Sequence, residues 1–185
     1  IATHSPLVDI SNYVMLELGQ PTHAYDASTL SGPLSVRFAK ADELIETLDG
    51  VTRRLSTTDL VVCDSAGPVG LAGVMGSART QVQVGTTEAI LEAAIWDKTL
   101  VRRTALRHGL RTEASGRYER GIPLPSAVRA MSRFLDLVQE ICQAEILGGP
   151  YDQLHAWPWQ QSLGLRLRFA ERLLGYTIPE RLVTK

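Results

Sequence analysis

Between Leu34 and Trp96 the chain never keeps one character for long. Seven short runs of β-forming residues (34–38, 43–48, 51–55, 60–63, 69–72, 81–84 and 89–96) are punctuated by Gly, Pro and Asp. Strands this short are marginal alone and must pair into sheet with a buried face. The pattern predicts a curled mixed sheet with a barrel-like strand region. Asp49-Gly50, between two of the runs, predicts a two-residue hairpin, because that dipeptide tolerates positive φ. Helical spacing takes over at Asp97, which can cap a helix running to about His108 and stopped by Gly109. A longer helix is predicted from about Pro125 to Ala144. Its apolar positions Ala127, Met131, Phe134, Val138 and Ile141 step by 4, 3, 4 and 3 to make one buried stripe. An earlier helix is predicted from Asn12 to Leu18, capped by Ser11 or Asn12, with Gly19 and Pro21 after it. Residues 20–26 read as an ordered turn. The fold class is therefore α+β, sheet packed by helices.

The chain has 185 residues, 44% of them hydrophobic, enough for a substantial core. Nineteen Lys and Arg against twenty Asp and Glu leave a formal charge of −1. That excludes an overall basic nucleic-acid binder but not a local basic face. Cys63 and Cys142 lie 79 positions apart without a Cys-x-x-Cys, which argues against a disulfide scaffold or structural zinc and for a reducing compartment. Cys142 adjoins the helical stripe and reads as a packing residue. No apolar run approaches the ~18 residues of a membrane span, and no basic-then-apolar leader opens the chain. The first residue is Ile1, so the chain is expected to be part of something longer. Gly148-Gly149-Pro150 ends the main domain, expected to span residues 1–150. Residues 151–162, with Trp157, Pro158 and Trp159, read as a linker. Leu163, Leu165, Leu167 and Phe169 alternate like a strand, and Ala170 to Leu174 could start a helix. Residues 163–185 are expected to open a second, truncated domain.

Phosphate-binding, dinucleotide and nucleophile-elbow glycine motifs are absent, and no two of His4, His23, His108 and His155 stand at i, i+4. Four features could carry chemistry. Gly67, Gly70, Gly73 and Gly76 recur every third residue; they serve either a tightly packed strand and turn or a backbone that approaches a ligand. Glu92 stands in the apolar run 89–96 and is either a solvated edge carboxylate or a site residue. Arg102, Arg103, Arg107, Arg111, Arg117 and Arg120 face only Glu113 and Glu119, a local +4 that either guides a phosphate backbone or pairs with acids elsewhere. Within that stretch, 112–116 has the small side chains of a pocket wall. His23 is either a structural hydrogen-bonder or a catalyst. Spacing alone identifies no reaction.

Several strings, taken together and in order, resemble one family. They are Asn12-Tyr13-Val14-Met15-Leu16-Glu17-Leu18-Gly19-Gln20-Pro21 with His23-Ala24, then Leu71-Ala72-Gly73-Val74-Met75-Gly76, then Leu91-Glu92-Ala93-Ala94. Leu110-Arg111-Thr112-Glu113-Ala114-Ser115 and Arg117-Tyr118-Glu119-Arg120-Gly121 complete the set. Residues 7–149 resemble the central domain of the bacterial phenylalanyl-tRNA synthetase β subunit, and Leu174-Gly175-Tyr176-Thr177-Ile178-Pro179 resembles the start of that subunit's next domain. The resemblance implies the central-domain fold, two intertwined subdomains with the smaller inserted at about 34–70. It also implies proofreading: hydrolysis of tyrosine wrongly esterified to phenylalanine tRNA. Such a step is needed because a pocket shaped for phenylalanine rejects an added hydroxyl only by ~10².

Carried across residue by residue, the resemblance makes Glu92 the acceptor for the phenol hydroxyl and Gly76 the place where backbone nears the aminoacyl group. Ala114 becomes a pocket wall, and Thr112 and His23 lie near the ester and the attacking water. Arg102, Arg103, Arg107 and Arg111 are the implied tRNA contacts. No metal or cofactor is implied for this chain; ATP and Mg2+ belong to charging by an α subunit, in a cytoplasmic parent of two α and two β subunits. The implied partners are phenylalanine tRNA, the α subunit and tyrosine, with no membrane. The alternative is a non-catalytic tRNA-binding and scaffolding module of the same synthetase. Ser77, where the family usually has glycine, and Glu113, where it usually has aspartate, depart from the pattern beside the expected pocket.

Overall fold

Ser5 opens the first helix, α1 (Pro6–Leu18), by accepting a hydrogen bond from the Val8 amide at 3.4 Å; Pro6 fills the first turn, where its missing N–H costs nothing. The helix therefore starts well before Asn12, where the sequence reading began it, and ends as expected at Gly19 (φ 74°). The structure, a computed structural model, describes residues 5–152 and 164–183. The chain divides into two compact units, Ile1–Gly148 and Gly149–Lys185.

In the first unit eight strands follow in order. They are β1 (His23–Asp26), β2 (Ser35–Phe38), β3 (Leu44–Glu46), β4 (Thr52–Arg54), β5 (Leu60–Asp64), β6 (Gly67–Leu71), β7 (Met75–Gly76) and β8 (Ala89–Glu92). They make a four-stranded sheet in the order β2-β5-β6-β7 and two pairs, β1-β8 and β3-β4. All five pairings among the described residues are antiparallel, and none of these sheets closes on itself. The fold is α+β as expected, but the mixed, barrel-like region is replaced by separate open sheets. A register shift at Val62/Cys63 marks an irregularity of the β5–β6 pair.

The expected hairpin lies between β3 and β4, but its loop is longer than two residues. The Thr47 amide bonds the Val51 carbonyl at 3.2 Å, leaving Leu48, Asp49 and Gly50 as the turn with Gly50 at φ 73°. The run at 81–84 contributes only an isolated bridge between Gln81 and Tyr25. Residues 23–26, read as a turn, are β1.

Helices follow the sheets. Asp97 caps α2 (Lys98–Arg107) through the Thr99 and Leu100 amides at 2.8 and 2.9 Å. A short helix, α3 (Glu113–Tyr118), starts from a reciprocal cap between Thr112 and Ser115. The long helix α4 (Pro125–Cys142) lies against α1, where Ala130, Phe134 and Val138 meet Ile10 and Val14. The buried line runs in steps of four, so Ile141, assigned to the stripe from sequence, is 58% exposed. Cys142 packs at the edge of this cluster, as expected. A second core joins the sheets to α2 and α3 through Ile45, Leu55, Val61, Leu71, Val101 and Tyr118.

In the second unit α5 (Leu167–Leu174) replaces the alternating strand expected from Leu163. Leu167, Ala170 and Leu174 are spaced three and four apart and Gly175 closes the helix at φ 78°. Leu163 and most of the expected linker, including Trp157, Pro158 and Trp159, lie outside the described residues.

Candidate functional site

The site begins with the β1–β8 ladder. His23 stands directly opposite Glu92 and Tyr25 opposite Ile90. Cross-strand partners share a face, and so do residues two apart on one strand. His23, Tyr25 and Glu92 are thus brought to one face by pairing alone. The rings of His23 and Tyr25 meet edge to face, 4.5 Å apart with an interplanar angle of 81°. Tyr25, 1% exposed, reaches diagonally across the ladder and donates its hydroxyl to Glu92 Oε2. The other carboxylate oxygen has no hydrogen-bond partner among the described residues. Burial pushes the Glu92 carboxyl above its ordinary range, and the Tyr25 hydrogen bond works against that rise. Burial foremost, then the Glu92 charge, keeps the Tyr25 phenol protonated.

Gly76, on β7, closes the face from the other side. A β carbon there would stand 2.6 Å from His23 Nε2 and 3.4 Å from Leu48 Cδ1. Only glycine lets the imidazole lie this close. His23 Nε2 is buried and has no hydrogen-bond partner among the described residues. Burial lowers the His23 pKa to about 4, so the ring is neutral at physiological pH. Trp96 Nε1 is a second buried nitrogen without a partner there.

These side chains line a cavity of about 80 Å³ whose walls include His23, Tyr25, Gly70, Gly73, Gly76, Glu92, Trp96, Ala114 and Tyr118. Three of the four periodic glycines therefore face one space. Gly73 (φ 69°) also lets Trp96 and Val101 approach; a β carbon there would stand 2.8 and 2.9 Å from them. The wall is braced by Gln20 and Tyr118. Gln20 Nε2 lies 2.9 Å from the Pro21 carbonyl, 3.0 Å from the Ala94 carbonyl and 3.1 Å from the Tyr118 hydroxyl. That hydroxyl is itself 3.1 Å from the same two carbonyls, tying the end of α1, the exit of β8 and α3 together.

Four of the five residues assigned from sequence to the reacting group are thus together: His23, Gly76, Glu92 and Ala114. Thr112 is set apart. Its hydroxyl donates to the Val74 carbonyl at 2.8 Å and accepts from the Ser115 amide at 3.0 Å, anchoring α3 to the glycine-rich segment rather than lining the cavity. Neither departure from the family pattern intrudes. Ser77 turns its hydroxyl to the Arg79 amide at 3.2 Å as the cap of a short 3-10 turn. Glu113 is exposed and pairs with Arg117 at 2.6 Å.

Arg102, Arg103, Arg107 and Arg111 are all exposed, but they differ in what they touch. Arg107 reaches the fully buried Asp59. Asp59 also accepts from the Ser56 amide, Thr104 and His108, at 2.9, 3.1 and 2.8 Å. Burial alone would raise the Asp59 carboxyl, yet these donors hold it below the usual range. Arg102, Arg103 and Arg111 form no ion pair among the described residues. Among those residues no group of three His, Cys, Asp or Glu side chains is placed to hold a metal ion, and no helix is long and apolar enough to cross a membrane.

Tyr25, Trp96, Gln20 and Tyr118 were not singled out from sequence. Reading 23–26 as a strand would have put Tyr25 beside His23, two residues on and on the same face. No local signal marks the other three.

Residues 1–143 match the family model of the B3/4 domain. The chain is 45% identical over 175 residues to the phenylalanine–tRNA ligase beta subunit of Nocardia farcinica, covering 95% of this chain and 21% of that protein. It is 48% identical over 155 residues to the subunit of the same name from Leifsonia xyli, covering 83% and 18%. With that from Streptomyces avermitilis it shares 52% identity over 134 residues, covering 71% and 16%. The chain spans about a fifth of the length of the curated relatives it matches.

Proposed function

The chain belongs to the B3/4 domain family, and on that premise we propose that its cavity is a proofreading site, which hydrolyses the ester of tyrosine mischarged on phenylalanine tRNA. The observation that carries this reading is Glu92. A carboxylate with one oxygen unpartnered among the described residues, in the wall of a small cavity, accepts a phenol's hydrogen bond and offers a phenylalanine ring nothing. A phenylalanyl ester would leave that second oxygen unpaired while Tyr25 still serves the first, at ~1–3 kcal/mol. The relatives' name, phenylalanine–tRNA ligase beta subunit, supports phenylalanine tRNA as the nucleic acid in this reading.

With the phenol on Glu92, the ester end of the substrate lies toward His23 and Gly76. His23 supplies a neutral ring nitrogen without a partner among the described residues, suited to accept a hydrogen bond from the attacking water. A group with a pKa of about 4 is a weak base at neutral pH, so His23 orients water rather than holding its proton. The glycine backbone at 76 makes room for the carbonyl. Water adds to the ester carbonyl, the carbon–oxygen bond to the terminal ribose breaks, and the water's proton ends on the departing ribose hydroxyl; an aminoacyl ester is labile, so positioning carries the step. Thr112 acts at one remove, by fixing α3 and hence Ala114. Arg102, Arg103 and Arg111 are the proposed tRNA contacts; Arg107 shares its charge with Asp59. ATP-dependent charging falls, on this reading, to an α partner that binds ATP and Mg2+ in a cytoplasmic synthetase.

The test is deacylation of tyrosyl-tRNA by the intact ligase carrying this chain. Glu92→Ala is expected to slow it at least tenfold while leaving charging intact. Clearance by the variant at the parental rate refutes the site.

A further inference from the structure

Glu92 is not an isolated acceptor, and its partner has no role in the mechanism above. Tyr25 is buried to 1% exposure, its hydroxyl bonded to Glu92 Oε2, while the carboxylate's other oxygen is without a partner among the described residues. A buried phenol needs an acceptor, but a backbone carbonyl or an amide would serve at lower desolvation cost than a carboxylate. A carboxylate in that place has spare acceptor capacity, and the unoccupied oxygen belongs to a residue that lines the cavity. The ring that makes the bond is itself clamped: it stands edge-on to His23, and Tyr25 pairs with Ile90 on one side and bridges Gln81 on the other. The direction of Glu92 is therefore set by a neighbour held in the ladder.

We propose that Tyr25 is the positioning residue for phenol recognition: its hydroxyl fixes one oxygen of Glu92, so that the second oxygen receives the para-hydroxyl of the tyrosyl group. The inference rests on the editing reading and deepens it. Two phenols then share one carboxylate, one from the protein and one from the substrate. Removing the protein's phenol takes away the hydrogen bond that opposes the effect of burial, so the Glu92 carboxyl holds its proton to higher pH. With His23 neutral and Tyr118 the other phenol facing Glu92, the weakened recognition recovers as pH rises.

The experiment is tyrosyl-tRNA deacylation by the intact ligase between pH 6 and 9, comparing the parent, Tyr25→Phe and Glu92→Gln. The expected result for Tyr25→Phe is a KM raised about tenfold at pH 7 with kcat within twofold, the deficit shrinking toward pH 9. For Glu92→Gln the expected deficit does not change with pH. A Tyr25→Phe profile identical to the parent's, or lowered evenly at every pH, overturns the inference while leaving the editing reading standing. If parent and Glu92→Gln deacylate alike, both fall. Should Tyr25→Phe not fold, 3-fluorotyrosine at position 25 keeps the shape and strengthens the donor; the profile then moves to lower pH, and an unmoved profile overturns the proposal.

Discussion

No β carbon fits between Gly76 and the ring of His23: one built on Gly76 would stand 2.6 Å from Nε2. The glycine sits on a two-residue strand and the histidine on another sheet, 53 positions away in sequence, so the contact exists only because β1 and β7 meet at the cavity.

Gly76→Ala is expected to push the imidazole out of place. Small-to-large changes in packed sites cost about 1–3 kcal/mol, so the urea midpoint should fall but the fold should survive. Tyrosyl-ester hydrolysis by the intact ligase should fall by more than the loss of folded protein explains, on the order of 10²-fold. Unchanged hydrolysis would separate His23 from the chemistry.

Ala114→Trp tests the wall. Ala114 is half-buried, lines the cavity and packs against the core around Val74 and Tyr118. An indole at that position would fill much of about 80 Å³. Deacylation should vanish, and tyrosine should no longer protect the chain against thermal unfolding. Protection equal to the parent's would move the ligand elsewhere.

His23 gives the chain a pH signature. Its folded pKa, lowered by burial to about 4, lies below the ordinary 6.5, so the unfolded chain binds a proton that the folded one refuses. Its effect on stability is flat above about 6.5, falls as pH drops toward 4, and is constant below that. His23→Gln removes this penalty. The difference in urea midpoint between parent and variant should therefore shift in the variant's favour from pH 7 to pH 5. A constant difference would mean that the ring titrates normally when folded.

Asp64 gives the opposite sign at lower pH. Burial opposes its ionisation, but Arg79 at 2.8 Å and the Ser31, Ala66 and Gly67 amides outweigh this and hold its pKa at about 2, below the ordinary 3.8. Its contribution is present above about 3.8 and lost as pH falls toward 2. Asp64→Asn, which removes the charge that Arg79 pairs with, should cost about 1–2 kcal/mol near pH 7, since Arg79 is 37% exposed and solvent screens the loss, and flatten the acid limb of the stability curve. Equal acid limbs in chemical denaturation would contradict this.

What could be read from the sequence was what short-range chemistry determines. Asp97 before α2, Gly109 after it, Gly19 after α1 and the positive φ of Gly50 are local facts with local causes. β1 was missed because four residues, His23 to Asp26, become a strand only by pairing with β8 more than sixty positions on. α3 was missed because its capping box uses Ser115 where Glu or Gln is the usual signature. Leu163 to Phe169 misled because a short alternating run fits a strand until Ala170 and Leu174 extend it at helical spacing. For the site, His23, Gly76, Glu92 and Ala114 were reached through family resemblance, not spacing. The Tyr25 bond to Glu92 and the Gln20–Tyr118 brace are tertiary, and no local pattern encodes them.

The most direct test of the central claim is a crystal structure of this chain with tyrosine bound. The account requires the para-hydroxyl within hydrogen-bond distance of Glu92 and the carboxyl end toward His23 and Gly76, with phenylalanine failing to order under the same conditions. Tyrosine ordered away from Glu92, or phenylalanine seated equally well, would contradict it.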